Sequence, residues 1–115
     1  MRVRARDDCH RELHDGLTNP SITAGREYVV AGYDWSSYRL VDDKGEPILF
    51  EKVLFEVVDP YEDPIWVKKG PFADGDYYVD PPECSLPGFY EDWHDGDPLA
   101  RQVFARLVAD DERRR

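Results

Sequence analysis

Metal chemistry is the first possibility raised by the residue types. Cys9, His10 and His14 stand close together, and folding could bring Cys84 and His94 to them. A structural zinc site needs four ligands, however, and no paired Cys-x-x-Cys spacing supplies them. Two acidic triplets, Asp74-Gly75-Asp76 and Asp95-Gly96-Asp97, resemble the opening of a calcium loop. They lack the further oxygen ligands at fixed spacing and the closing glutamate of an EF-hand, so they read as turns. Acid–base catalysis needs a carboxylate or histidine in a concave, partly dry pocket that shifts its pKa, and spacing alone shows none among 25 acids. There is no nucleophile elbow, glycine-rich phosphate loop or Cys–His signature. The expectation is therefore no enzyme, no metal and no cofactor, with a small hydrolase or metal protein as the third-ranked reading.

Binding chemistry has more to build on. The 115 residues carry 25 Asp and Glu against 15 Lys and Arg, a net charge of −10. Six of the basic residues lie at the two ends, as Arg2, Arg4, Arg6 and Arg113, Arg114, Arg115. Positions 7 to 112 hold nine basic residues against 25 acidic ones, a balance of −16. Gly70 to Ala100 has no Lys or Arg, yet holds Asp74, Asp76, Asp80, Glu83, Glu91, Asp92, Asp95 and Asp97. Bringing these like charges into one fold costs self-repulsion, which a cationic partner would relieve. The same balance argues against nucleic acid or anionic lipid as partners. Phe72, Tyr77, Tyr78, Phe89, Tyr90 and Trp93 are interleaved with the acids, the mixture of aromatic anchors and charged surround found at interface hot spots. Phe89 and Trp93, four apart, are expected under the following helix, while Tyr77, Tyr78 and Tyr90 are expected at the surface. Near the middle of the chain, Tyr33, Asp34, Trp35 and Tyr38 form a second aromatic-acidic group, in which Trp35 either contacts a ligand or shields one end of the fold.

The elements that must position these residues are short. One domain of this length buries a core without staples, and its fifteen aromatic residues argue against disorder. Met1 to Arg6 alternates apolar and basic residues, as a half-buried strand does. Cys9 to Pro20 is a loop by its polarity, with Gly16 and Asn19-Pro20 as turn signals. Strands follow at Arg26 to Tyr33, Ser37 to Val41, Pro47 to Phe50 and Val53 to Val58, with a hairpin turn at Asp42-Asp43-Lys44-Gly45 and a stop at Asp59-Pro60. Ile65 to Val67 and Tyr77 to Val79 supply one or two more. Short strands at intervals of about ten residues indicate a small barrel or sandwich rather than alternating strands and helices. Pro87 to His94 fits a short helical turn. Asp97-Pro98 starts a C-terminal helix whose apolar stripe, Leu99, Val103, Phe104, Leu107 and Val108, is expected to lie on the barrel.

The N-terminus has basic residues but no apolar run behind them, and no stretch approaches the ~20 apolar residues of a membrane span, so a cytoplasmic location is expected. Cys9 and Cys84 are expected as free thiols.

Three segments carry a likeness: Ile22-Thr23-Ala24-Gly25-Arg26-Glu27-Tyr28-Val29-Val30, Tyr38 to Pro47 with its Asp-Asp-Lys-Gly, and Leu54-Phe55-Glu56-Val57-Val58-Asp59. Together, residues 22–59 resemble a set of small bacterial and phage proteins similar to SH3-like β-barrels. The tail, Gly88 to Pro98, is similar to accessory proteins of bacterial toxin and immunity loci. The resemblance implies a mainly β, α+β fold: an SH3-like barrel over about residues 1–80, an acidic-aromatic segment over 70–97, and a helix over 98–112 packed on it. It also implies an immunity-type role, in which a monomer or weak dimer neutralises a basic protein such as a toxin domain. The residues expected to meet that partner are Asp74, Asp76, Tyr77, Tyr78, Asp80, Glu83, Tyr90, Glu91, Asp92 and Asp95. The runner-up is a stand-alone SH3-like module of phage origin that holds a peptide through Trp35.

Overall fold

The computed structural model describes residues 1–9 and 21–114. His10, His14 and the turn signals at Gly16 and Asn19-Pro20 lie outside the described residues. Among the described residues, the protein is a small α+β chain with seven short strands in antiparallel pairs, followed by a long helix. It divides into two compact units, Met1–Glu62 and Asp63–Arg115.

In the first unit, β1 (Arg2–Ala5), β2 (Glu27–Asp34), β3 (Ser37–Val41), β4 (Pro47–Glu51) and β5 (Phe55–Asp59) form a sheet in the order β4-β3-β2-β1-β5. The alternation of β1 does what its pattern requires: Val3 and Ala5 are buried, and Arg4 faces out to pair with Glu56 of β5. Val53 and Leu54 leave the expected fifth strand. They form a 3-10 turn, Lys52–Leu54, because Lys52 N–H bonds Ser36 carbonyl and Phe55 N–H bonds back to Lys52 carbonyl. The strand then begins at Phe55.

The sheet does not close into a hydrogen-bonded barrel, since β4 and β5 remain its edges. It curls instead. Phe50 from one edge strand and Phe55 from the other stand edge-to-face with ring centroids 6.2 Å apart, and Phe55 meets Tyr28 and Tyr38 in the same T-shaped manner at 6.4 and 6.2 Å. Val3, Ile22, Val30, Leu40 and Leu54 fill the space around these rings. The two edges are thus held by side-chain packing where backbone pairing is missing.

The hairpin joining β3 to β4 explains the Asp-Asp-x-Gly spacing. Asp42 is buried, and its Oδ1 accepts the N–H groups of Lys44 and Glu46 at 2.9 and 3.0 Å, while Gly45 takes φ +76°. Asp43 points the other way. Its carboxylate accepts hydrogen bonds from Tyr28 Oη at 2.7 Å, Thr23 Oγ1 at 2.7 Å and Arg26 Nη1 at 2.8 Å. Thr23 N–H in turn donates to Tyr28 Oη at 2.6 Å. Desolvation pushes the Asp43 pKa up, but these donors outweigh it and hold the carboxyl below its ordinary value. The Tyr28 phenol is shifted upward, first by burial and then by donating to that carboxylate.

The second unit starts with an Asx turn: Asp63 Oδ1 accepts Ile65 N–H, and Trp66 N–H bonds Asp63 carbonyl. That local bonding takes Ile65 and Trp66 out of the expected strand. The hairpin β6 (Val67–Lys69) and β7 (Tyr78–Asp80) follows, then a 3-10 turn, Pro82–Ser85, and the helices α1 (Phe89–His94) and α2 (Pro98–Arg114). The buried stripe of α2 differs from the expected one at its start. Ala100 and Phe104 are buried, with Val103 and Leu107 half-buried, while Leu99 is 66% exposed. One residue is a rotation of about 100° on a helix, so choosing Ala100 turns Leu99 out to water. Phe104 packs against Tyr90 and Trp93 of α1, both at 6.2 Å.

Candidate functional site

Ten of the eleven residues expected to meet a partner lie in the second unit, and Trp35 lies in the first. The acids fall on three local features, each fixed by its own hydrogen bonds.

Asp74 and Asp76 sit in the loop joining β6 to β7. Asp74 Oδ1 accepts Asp76 N–H at 2.9 Å, Phe72 N–H bonds Asp76 carbonyl at 2.8 Å, and Gly75 N–H bonds Phe72 carbonyl at 2.8 Å. The triplet is a turn, as its composition implies. Tyr77 and Tyr78 follow. Lys68 Nζ lies 5.1 Å from the Tyr77 ring centroid, so that ring already holds a cation. Tyr78 is 43% exposed and its ring stands 6.0 Å from Phe72, which is 52% exposed. Asp80 is half-buried in β7, and Glu83 is exposed in the 3-10 turn.

Glu91, Asp92, Asp95 and Asp97 are exposed on α1 and on its junction with α2. That junction explains the second triplet. Asp97 N–H bonds Asp92 carbonyl at 3.0 Å and Gly96 N–H bonds Trp93 carbonyl at 3.1 Å, the paired bonds of a Schellman motif. Gly96 has φ +88°, a conformation that a side chain would strain. Asp97 then accepts Ala100 N–H at 2.9 Å as the N-cap of α2. Arg101 closes the corner, its guanidinium 4.4 Å from the Trp93 ring centroid and its Nε donating to Trp93 carbonyl at 3.0 Å. Asp97 is thus committed to structure. Asp97→Ala should lower stability by about 1 kcal/mol, read as a lowered midpoint in denaturant, without altering the free carboxylates beside it.

Tyr90 is not the surface anchor suggested by its neighbours. It is half-buried, with its ring between Phe89 at 5.1 Å and Phe104 at 6.2 Å. Its contact with Phe104 puts it in the joint with α2. Phe89 is buried, and Trp93 packs against Phe104 of α2 as expected. Phe72, which the sequence does not assign to core or surface, faces outward beside Tyr78. The signal was its place between Gly70-Pro71 and an acidic turn, too short a segment to bury it.

In the first unit, Trp35 is 60% exposed at the turn between β2 and β3. Asp34 Oδ1 accepts Ser36 and Ser37 N–H at 2.9 and 2.7 Å, which fixes the turn that presents the indole. Tyr33 and Tyr38, expected beside it in a ligand loop, instead flank Lys52, whose Nζ lies 4.9 and 5.4 Å from their ring centroids.

Among the described residues, no group of three or more His, Cys, Asp or Glu is placed to hold a metal ion. Cys9 and Cys84 are buried thiols outside any disulfide, and desolvation pushes the Cys9 pKa up. No helix among the described residues is long and apolar enough to cross a membrane. Set against protein-family models, curated proteins and solved structures, the chain matches none of them.

Proposed function

We propose that the protein binds and neutralises a basic protein in the cytoplasm, as an immunity protein does a toxin domain, and that it works by contact rather than by catalysis. One observation carries this reading. Gly70 to Ala100 holds eight carboxylates and no Lys or Arg, and Asp74, Glu83, Glu91, Asp92, Asp95 and Asp97 within it are exposed. Such a surface raises the rate at which a cationic cleft finds it, and ordered turns limit the entropy lost on docking. Within the first unit, the placing of β1 between β2 and β5 and the curling of the sheet over one core support an SH3-like barrel.

Affinity capture from a bacterial lysate at low and at high salt tests the proposal. The expected result is retention of a basic protein at low salt and its release at high salt. Retention of no basic protein, or retention that salt does not weaken, overturns the reading.

The 60% exposure of Trp35 favours a second reading, a stand-alone module that holds a peptide at the turn between β2 and β3. On that reading Trp35→Ala abolishes binding and charge reversal at Asp92 and Asp95 does not, and the reverse pattern excludes it.

A further inference from the structure

The loop joining β6 to β7 and the first residue of β7 present two large rings to water. Phe72 and Tyr78 are 52% and 43% exposed, 6.0 Å apart and inclined at 56°. The Phe72 ring is seated on Gly70, where an added Cβ would come within 3.2 Å of Phe72 Cδ2 and 2.8 Å of Asp76 carbonyl. Gly70 also has φ +97°, so that position tolerates no side chain. Four hydrogen bonds, Phe72 N–H to Asp76 carbonyl, Gly75 N–H to Phe72 carbonyl, Asp76 N–H to Asp74 Oδ1 and Tyr77 N–H to Asp76 Oδ1, hold the rest of the loop and leave the Oδ2 atoms of both carboxylates for a partner. Asp74 and Asp76 lie between the two ring residues in sequence and, among the described residues, form no ion pair. Of the two cations of β6, Lys68 lies over the Tyr77 ring and Lys69, the cross-strand partner of Tyr78, donates its ammonium to Ser85 carbonyl.

We propose that Phe72 and Tyr78, with Asp74 and Asp76 beside them, form a seat for an arginine side chain of a basic protein partner. This deepens the proposed function and rests on it. Charge complementarity selects a cation, because the loop carries two carboxylates and no basic residue between Gly70 and Ala100. The rings select arginine over lysine. A guanidinium is planar and weakly hydrated, so it can lie on an aromatic face while its edge donates to carboxylates. An ammonium is a compact, strongly hydrated point charge that gains less from a half-wet ring.

The test uses the full chain with amidated hexa-arginine and hexa-lysine peptides as probes, titrated at one low salt concentration. The expected result is arginine peptide bound at least about three-fold more tightly than lysine peptide, the size of one exposed cation–π contact. Phe72→Ala and Phe72→Leu should both bring the two affinities to parity and leave lysine-peptide binding unchanged. The leucine variant keeps apolar bulk at the seat, so parity in both variants assigns the preference to the ring. Equal affinity of the two peptides for the unmodified chain overturns the arginine seat while leaving acidic binding standing. Binding of neither peptide overturns both. A preference lost on Trp35→Ala but kept on Phe72→Ala, or a dimer that Phe72→Ala dissolves, overturns the seat by giving the preference or the rings to another occupant.

Discussion

Phe55→Ala should destabilise the first unit by about 3–5 kcal/mol, the largest effect expected of any single substitution in the chain. Phe55 is almost fully buried and meets three other rings, those of Tyr28, Tyr38 and Phe50. Those rings come from β2, β3 and β4, while Phe55 belongs to β5 at the opposite edge of the sheet. Truncating it leaves a cavity and also removes the packing that holds two unpaired edges together. A domain's whole stability is about 5–15 kcal/mol, so the loss takes a large share of it. The measurement is a denaturant titration followed by aromatic fluorescence and by circular dichroism. A midpoint within error of the parent would mean that the curl of the sheet is held by something other than these rings. Phe50→Ala should cost less, since Phe50 has one ring partner in this set where Phe55 has three.

Asp43→Ala should cost about 1–3 kcal/mol, mainly through the polar group it strands. Without Asp43, the Tyr28 hydroxyl proton loses its acceptor in a mostly buried site, whereas water replaces the carboxylate at the exposed Thr23 Oγ1. Arg26 contributes less, because its side chain is more than half exposed and water replaces the carboxylate. Tyr28→Phe removes the same hydrogen bond from the other side. The double variant should therefore cost clearly less than the two single losses added together, as groups in one network do. Strict additivity would show that the two side chains act independently. The pH dependence has a definite sign. The folded pKa of Asp43 lies below its unfolded value, so its stabilisation is fully present above the unfolded value and is lost as pH falls through the folded one. Stability measured on the acid side should therefore fall less steeply in Asp43→Ala than in the parent.

These two residues also show what was legible in the sequence and what was not. The strands Ser37–Val41 and Pro47–Glu51 and the turn between them follow from β-branched and aromatic runs bounded by Asp-Asp-Lys-Gly, a local pattern with a local cause. The N-cap at Asp97 was equally local. The curl was not: Phe50 and Phe55 stand close in sequence, and nothing in that spacing says that β5 will pair with β1 and lie at the other edge of the sheet from β4. Nor does spacing reveal that Thr23, Arg26, Tyr28 and Asp43 form one hydrogen-bonded set. Residues 22–59 therefore include side chains that hold this unit together. Those motif residues carry no information about a ligand. In the second unit, local turn signals identified both Asp-Gly-Asp triplets. The exposure of Tyr90 and Phe72 depended on helix packing and on a loop geometry that composition does not encode. Six of the eight acids proved exposed, which is what their number and the absence of cations nearby imply.

The central claim is that exposed carboxylates between Gly70 and Ala100 bind a cationic partner. Its most direct test repeats the low-salt capture with a chain carrying Glu83→Lys, Glu91→Lys, Asp92→Lys and Asp95→Lys. The described structure gives none of these side chains a hydrogen bond or ion pair to lose. With an unchanged circular dichroism spectrum, this variant should retain none of the basic protein held by the parent. Retention equal to the parent's would contradict the claim and reduce the acidic segment to a solvated surface.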